Sequence, residues 1–63
     1  NVFKGTVKKV VPGSINDEVV IELPNGTEIV SIITRESAEA MQLAPGREAY
    51  AVVKASSVLV MVD

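Results

Sequence analysis

The chain contains no cysteine, no histidine and no tryptophan, and its 63 residues include only two aromatic side chains, Phe3 and Tyr50. Without cysteine there is no disulfide framework and no thiol redox chemistry. Zinc, copper and haem sites lean on His or Cys, so none is expected. Ser-His-Asp and Cys-His catalysis both lose their base, and catalysis of almost any kind is not expected. Two aromatics give no stacking platform for single-stranded nucleic acid. Charge of one sign is not in excess either. Six basic and eight acidic residues leave a net charge of -2 and a pI near 4.9, which argues against a nucleic-acid partner. Long apolar runs are also missing: the longest, Ala49–Val53 and Val58–Val62, have five residues each, against the roughly 20 needed to span a bilayer. No membrane partner is expected. No secretory signal pattern is visible at the start, which is Asn1 rather than Met.

What is present is an apolar excess. Hydrophobic residues make up 48% of the chain and the mean hydropathy is +0.34. A domain of about 60 residues buries only about 60% of the surface its unfolded chain exposes. With no disulfide or structural metal to compensate, part of the apolar surface is expected to be buried against other chains. Residues 1–63 are read as one domain that assembles into an oligomer.

Turn signals divide the chain at Pro12-Gly13, Pro24-Asn25-Gly26 and Pro45-Gly46. Asn25-Gly26 between apolar runs is a strong hairpin signal, and Pro45-Gly46 fits positions i+1 and i+2 of a type II turn. Between them lie β-branched runs. Phe3, Gly5 and Val7 fall on one face of the first strand, with Lys4, Thr6 and Lys8 on the other and Lys9 not sharing the face of Lys8. Val19, Ile21 and Leu23 share a face, with Glu18 and Glu22 opposite. Later strands are apolar on both faces, so one face closes the core and residues such as Val30 and Val52 turn outward toward a neighbouring subunit. The segment Thr34–Met41 departs from this pattern. It has good helix formers after a capable N-cap, Thr34, with Glu36 in the first turn and Ala38, Met41 and Leu43 for the buried side. The order β-β-β-α-β-β predicts an all-β fold: a small OB-like five-stranded Greek-key barrel with one short helix between strands 3 and 4, the alternative being an SH3-like barrel.

Two clusters of hydrogen-bond donors are the candidate chemistry. Thr34-Arg35-Glu36-Ser37 stands at a helix start, where free N–H groups and hydroxyls receive anions; the plainer reading is a simple cap. Lys54-Ala55-Ser56-Ser57 puts an ammonium, two hydroxyls and several amides in the connection between strands 4 and 5, and the plainer reading is a polar turn. Lys4, Lys8 and Lys9 are expected to be neutralised by Glu18 and Glu22 across the sheet. Asp17-Glu18 begins a strand and lacks the further oxygen ligands a hard metal needs. Phe3 and Tyr50 are read as packing residues.

These residues carry a family resemblance. Asn1-Val2-Phe3-Lys4-Gly5 with Val7, then Glu28–Thr34 with Ser37, then Gln42-Leu43-Ala44-Pro45-Gly46 and Ala51–Val60, together resemble the molbindins. These are the small molybdenum-pterin-binding (Mop) proteins built from a TOBE domain, and the likeness runs through essentially the whole chain. A Ser-Ala-Arg triplet commonly precedes the family's counterpart of Asn1. The resemblance implies cytoplasmic, non-catalytic binding and storage of molybdate or tungstate, with no catalytic cofactor and the metal held only as its oxyanion. It implies a homo-oligomer, a hexamer built as a trimer of dimers, with oxyanions between subunits. The family's binding motifs match Thr34, Ser37, Lys54, Ala55 and Ser56. The same domain also occurs in molybdate transporter ATPases and molybdate-responsive regulators, so a regulatory or assembly role within a longer chain is the alternative.

Overall fold

Turn chemistry sets the strand boundaries. The computed structural model describes residues 1–53 and 58–62. In chain order it has β1 (Val2–Pro12), β2 (Asn16–Glu22), β3 (Glu28–Thr34), α1 (Arg35–Ala40), β4 (Glu48–Val53) and β5 (Val58–Met61). All ladders are antiparallel, and the sheet order is β3-β2-β1-β4-β5. β1, with 11 residues, is the spine and pairs with both β2 and β4. The two edge strands come together, and the Ser31 hydroxyl on β3 donates to the Val58 carbonyl on β5 at 3.1 Å. The sheet therefore curls into a nearly closed barrel with the helix between β3 and β4, the expected OB-like architecture.

The turns follow from their residues. Pro24, Asn25 and Gly26 form the β2–β3 hairpin loop, where the Gly26 amide returns to the Leu23 carbonyl at 2.9 Å. Gly26 takes φ 88°, and Asn25 Oδ1 accepts from the Thr27 amide at 3.0 Å. At Ala44–Arg47 the Arg47 amide donates to the Ala44 carbonyl at 3.0 Å with Gly46 at φ 94°, as a type II turn requires. That turn is stitched to β1: Gly46 N–H donates to the Val7 carbonyl, and Val7 N–H to the Arg47 carbonyl.

The strand alternation breaks at one point. The β1–β2 register shifts between Val7 and Lys9, so Lys8 is the extra residue of a bulge. Val7 stays inside, Val10 packs against the core, and both Lys8 and Lys9 face solvent. The bulge also changes the charge pairing expected from the sequence. Lys8 Nζ bonds Glu28 Oε2 on β3, with the charge of Glu22 a weaker influence on it, and Lys4 Nζ meets Glu48 Oε2 on β4 at 3.3 Å. Lys4 stands opposite Tyr50, so Glu48 is its diagonal neighbour on the same face.

The core is small and aliphatic. Val7, Val19, Ile21, Ala49 and Ala51 are almost fully buried, with Val10, Leu23, Ile29, Ile33, Leu43, Val58, Val60 and Val62 packed around them. Phe3 is 40% exposed and Tyr50 half-buried, so neither aromatic fills the core. The cause is register: β2 pairs with β1 only from Thr6 onward, which leaves Phe3 flanked by β4 alone. The outward faces stay apolar. Val2, Val30, Ile32, Leu59 and Met61 are all exposed, whereas Val52 lies between Val2 and Leu59 in one cross-strand row and is half-buried.

Helix α1 has only six residues. Its start is capped by Thr34, and Ala38 is its buried residue. Its end reverses through Gln42 at φ 56°, with Gln42 N–H on the Glu39 carbonyl and Leu43 N–H on the Ala38 carbonyl. That double bond is a Schellman ending, with Gln in the place glycine usually takes. It returns Leu43 to the core. No helix among the described residues is long and apolar enough to cross a membrane.

Candidate functional site

Thr34 is both the last residue of β3 and the N-cap of α1, paired across β2 with Asn16. That junction opens onto a groove of about 490 Å³ running between β3, α1 and β5. Asn16, Thr34 and Ser37 are its polar lining, and Ile32, Met41, Leu59 and Met61 are on its apolar side. Among the described residues no acidic side chain lines it. A smaller hollow of about 310 Å³ beside Gly5 and the β2–β3 turn includes Glu22, whose carboxylate would repel an anion.

The hydroxyls are already partly committed. Thr34 Oγ1 accepts from the Ser37 amide at 3.1 Å and lies 2.8 Å from Ser37 Oγ. The simple cap foreseen from the sequence is therefore formed. With Thr34 donating to Ser37 Oγ, the Ser37 hydroxyl proton remains for a ligand. The Arg35 amide is committed as well, to the Ile15 carbonyl at 2.9 Å. The groove can thus offer an anion a hydroxyl and a few further donors, short of what the four acceptor oxygens of a tetrahedral dianion can engage.

Arg35, part of the same cluster in sequence, turns away. Its Nε lies 3.4 Å from Asp17 Oδ1 and its Nη2 donates to the Gly13 carbonyl. Asp17 is 5% exposed and also accepts from the Gly13 amide at 3.3 Å. Sequence alone assigns Asp17 no role beyond opening β2. Its signal was there: Asp17 shares the inward parity of Val19 and Ile21 on β2, and a carboxylate on that face needs a cation.

Lys54, Ala55 and Ser56, the other expected donors, lie outside the described residues. The residues flanking that connection, Val53 and Val58, are cross-strand partners, and Val58 lines the groove. Among the described residues no group of three or more His, Cys, Asp or Glu is placed to hold a metal ion.

Comparison with known proteins adds to this geometry. The family profile described as TOBE domain matches residues 1–60. The molybdenum-pterin-binding protein MopA of Rhodobacter capsulatus is 42% identical over 59 residues, which cover 94% of this chain but only 22% of that protein. The chain thus spans under a quarter of MopA. Two solved structures share the fold. ModG, described as a cytoplasmic molybdate-binding protein and solved with molybdate bound, superposes with a TM-score of 0.85 at 51% identity, over 100% of this chain and 45% of ModG. MopII from Clostridium pasteurianum gives a TM-score of 0.84 at 37% identity, over 98% of this chain and 92% of its own.

Proposed function

The chain belongs to the TOBE domain family, among its molybdenum-pterin-binding molbindins, and on that premise we propose that it binds molybdate or tungstate without catalysis, for storage and homeostasis of the oxyanion. One observation carries the reading on this chain's own residues: a groove that holds the hydroxyls of Thr34 and Ser37, has no acidic lining among the described residues, and is edged by exposed Ile32, Leu59 and Met61. A dianion presents only acceptors, so a site for it needs donors and no competing carboxylate. The groove falls short of that donor set by itself, and its apolar edge is left open. Both shortfalls are met when a second copy covers the edge and adds donors. Oxyanion sites between subunits of a homo-oligomer would meet both needs, and the molbindin resemblance implies a hexamer for that oligomer. The binding residues are Thr34 and Ser37 at the groove, joined by Lys54, Ala55 and Ser56, with Lys54 supplying the charge-assisted bond. The description of ModG as cytoplasmic supports the same compartment here.

Calorimetry with molybdate, tungstate, sulfate and phosphate tests the reading, together with native mass in the presence and absence of molybdate. Molybdate and tungstate should bind tightest, and binding should stabilise the oligomer by mass action. Lys54→Ala should weaken binding about tenfold or more, as loss of a charged hydrogen bond does, with the oligomer intact. Equal, weak heats for all four anions would overturn it.

A further inference from the structure

We propose that Arg35 serves the groove through Asp17: it cancels the charge of a buried carboxylate behind the anion site and does not itself grip the anion. This inference rests on the reading that the groove takes an oxyanion.

Asp17 follows Asn16, which lines the groove, and it pairs across the ladder with Ile33, another lining residue. Its side chain is only 7% exposed, so water screens its charge poorly. A dianion held at Thr34 and Ser37 would meet that field through protein, where like charges repel most strongly. Arg35 is the counter-charge. Its Nε reaches Asp17 Oδ1, its Nη2 reaches the Gly13 carbonyl, and the guanidinium does not line the groove. The receiving loop is wound tightly for this. A Cβ on Gly13 would fall 2.4 Å from the Asn16 carbonyl oxygen, so the strand turns back there only with glycine. The Gly13 amide takes a share of the same Asp17 oxygen, and the Arg35 amide is tied to the Ile15 carbonyl. Arg35 is a positioning and charge-compensating residue, one step removed from the ligand.

Three roles for Arg35 predict different patterns. If it compensates charge, Arg35→Gln weakens binding of the anion and Asp17→Asn does not. The test is molybdate calorimetry on wild type, Arg35→Gln, Asp17→Asn and the double variant, with Tm measured for each. Arg35→Gln should weaken molybdate binding about tenfold or more, as an unpaired like charge would. Asp17→Asn should leave affinity unchanged or tighten it even where its Tm falls. The double variant should return to within about threefold of wild type, the pair being coupled and not additive. A double variant as weak as Arg35→Gln would make Arg35 a direct ligand and overturn the proposal. Both single variants weakening in step with their loss of Tm would reduce the pair to a structural latch and overturn it equally. Should Arg35→Gln fail to fold, the sign of the Asp17→Asn effect and the double variant still decide. A wild type that does not bind molybdate would remove the underlying reading, a result visible before any variant is compared.

Discussion

Gly5 shows how much one missing side chain can decide. It lies on β1, opposite Ala49 of β4 and beneath the end of β2. A Cβ there would sit 2.6 Å from the Glu22 carbonyl oxygen and 2.7 Å from Ile21 Cγ2. One of these is backbone and the other belongs to a fully buried side chain, so neither can yield cheaply. Gly5→Ala should therefore destabilise the fold by about 1–3 kcal/mol, the usual cost of overpacking a filled core. Urea unfolding would show it as a lower midpoint at unchanged slope, and an unchanged midpoint would mean the strands can part. Single residues were legible in the sequence where their chemistry is local. Thr34 as a cap, Gly46 in a type II turn and Ala38 on the buried side of the helix needed no knowledge of the tertiary fold. For Asp17 the inward parity was legible but the partner was not, because Arg35 stands 18 residues away and meets it only once β2 and the start of α1 are packed.

At the scale of elements, the bulge at Lys8 explains what the alternation pattern misjudged. An uninterrupted strand would have sent Lys9 inward; one extra residue turns both lysines to water and brings Lys8 across β2 to Glu28. Hydrogen bonding to Lys8, then its charge, holds the Glu28 carboxyl below its ordinary value of 4.5, and the same bond raises Lys8 above 10.5. The sign follows from linkage. The Glu28 contribution is present above the unfolded value and is lost as pH falls through the depressed folded one. The Lys8 contribution is present below the unfolded value and is lost as pH rises through the raised folded one. Glu28→Gln should thus lower Tm slightly at neutral pH, and the gap to wild type should close in acid as pH falls below the carboxyl's ordinary value of 4.5 and through its depressed folded value. Added salt should close it too, since both groups are exposed. A gap that persists in acid and in salt would assign the effect to packing. Strand and helix order could be read from turns and β-branched runs because those are periodic signals. The bulge could not, since it has no residue signature of its own and is fixed by the type II turn bonded to Val7.

For the whole molecule, the governing fact is how little is enclosed. The core holds a handful of Val, Ile and Ala side chains and no aromatic ring, while Val30, at 53%, and Ile32, at 61%, stand exposed on one strand. Ile32 shares the groove with Leu59 and Met61 at the far edge of the sheet. Ile32→Asp should leave the barrel folded, with a change within about 0.5 kcal/mol as for most surface sites, yet reduce the oligomer to smaller species. Analytical ultracentrifugation beside a melting curve would read both, and an unchanged mass would move the contact to another face. The apolar excess was legible from composition alone, but which strands carry it outward required the register.

The seam of the barrel bears on a different hazard. β3 and β5 each carry one ladder and leave one edge without strand pairing, the kind of edge on which another chain can add itself and start a fibril. Here the two edges face each other, and Ser31 bridges them with a side-chain bond in place of a backbone ladder. Each edge is the other's shield. Strand addition at this seam is thereby blocked, which leaves the exposed side chains, and not the backbone, as the surface open to contact with other chains.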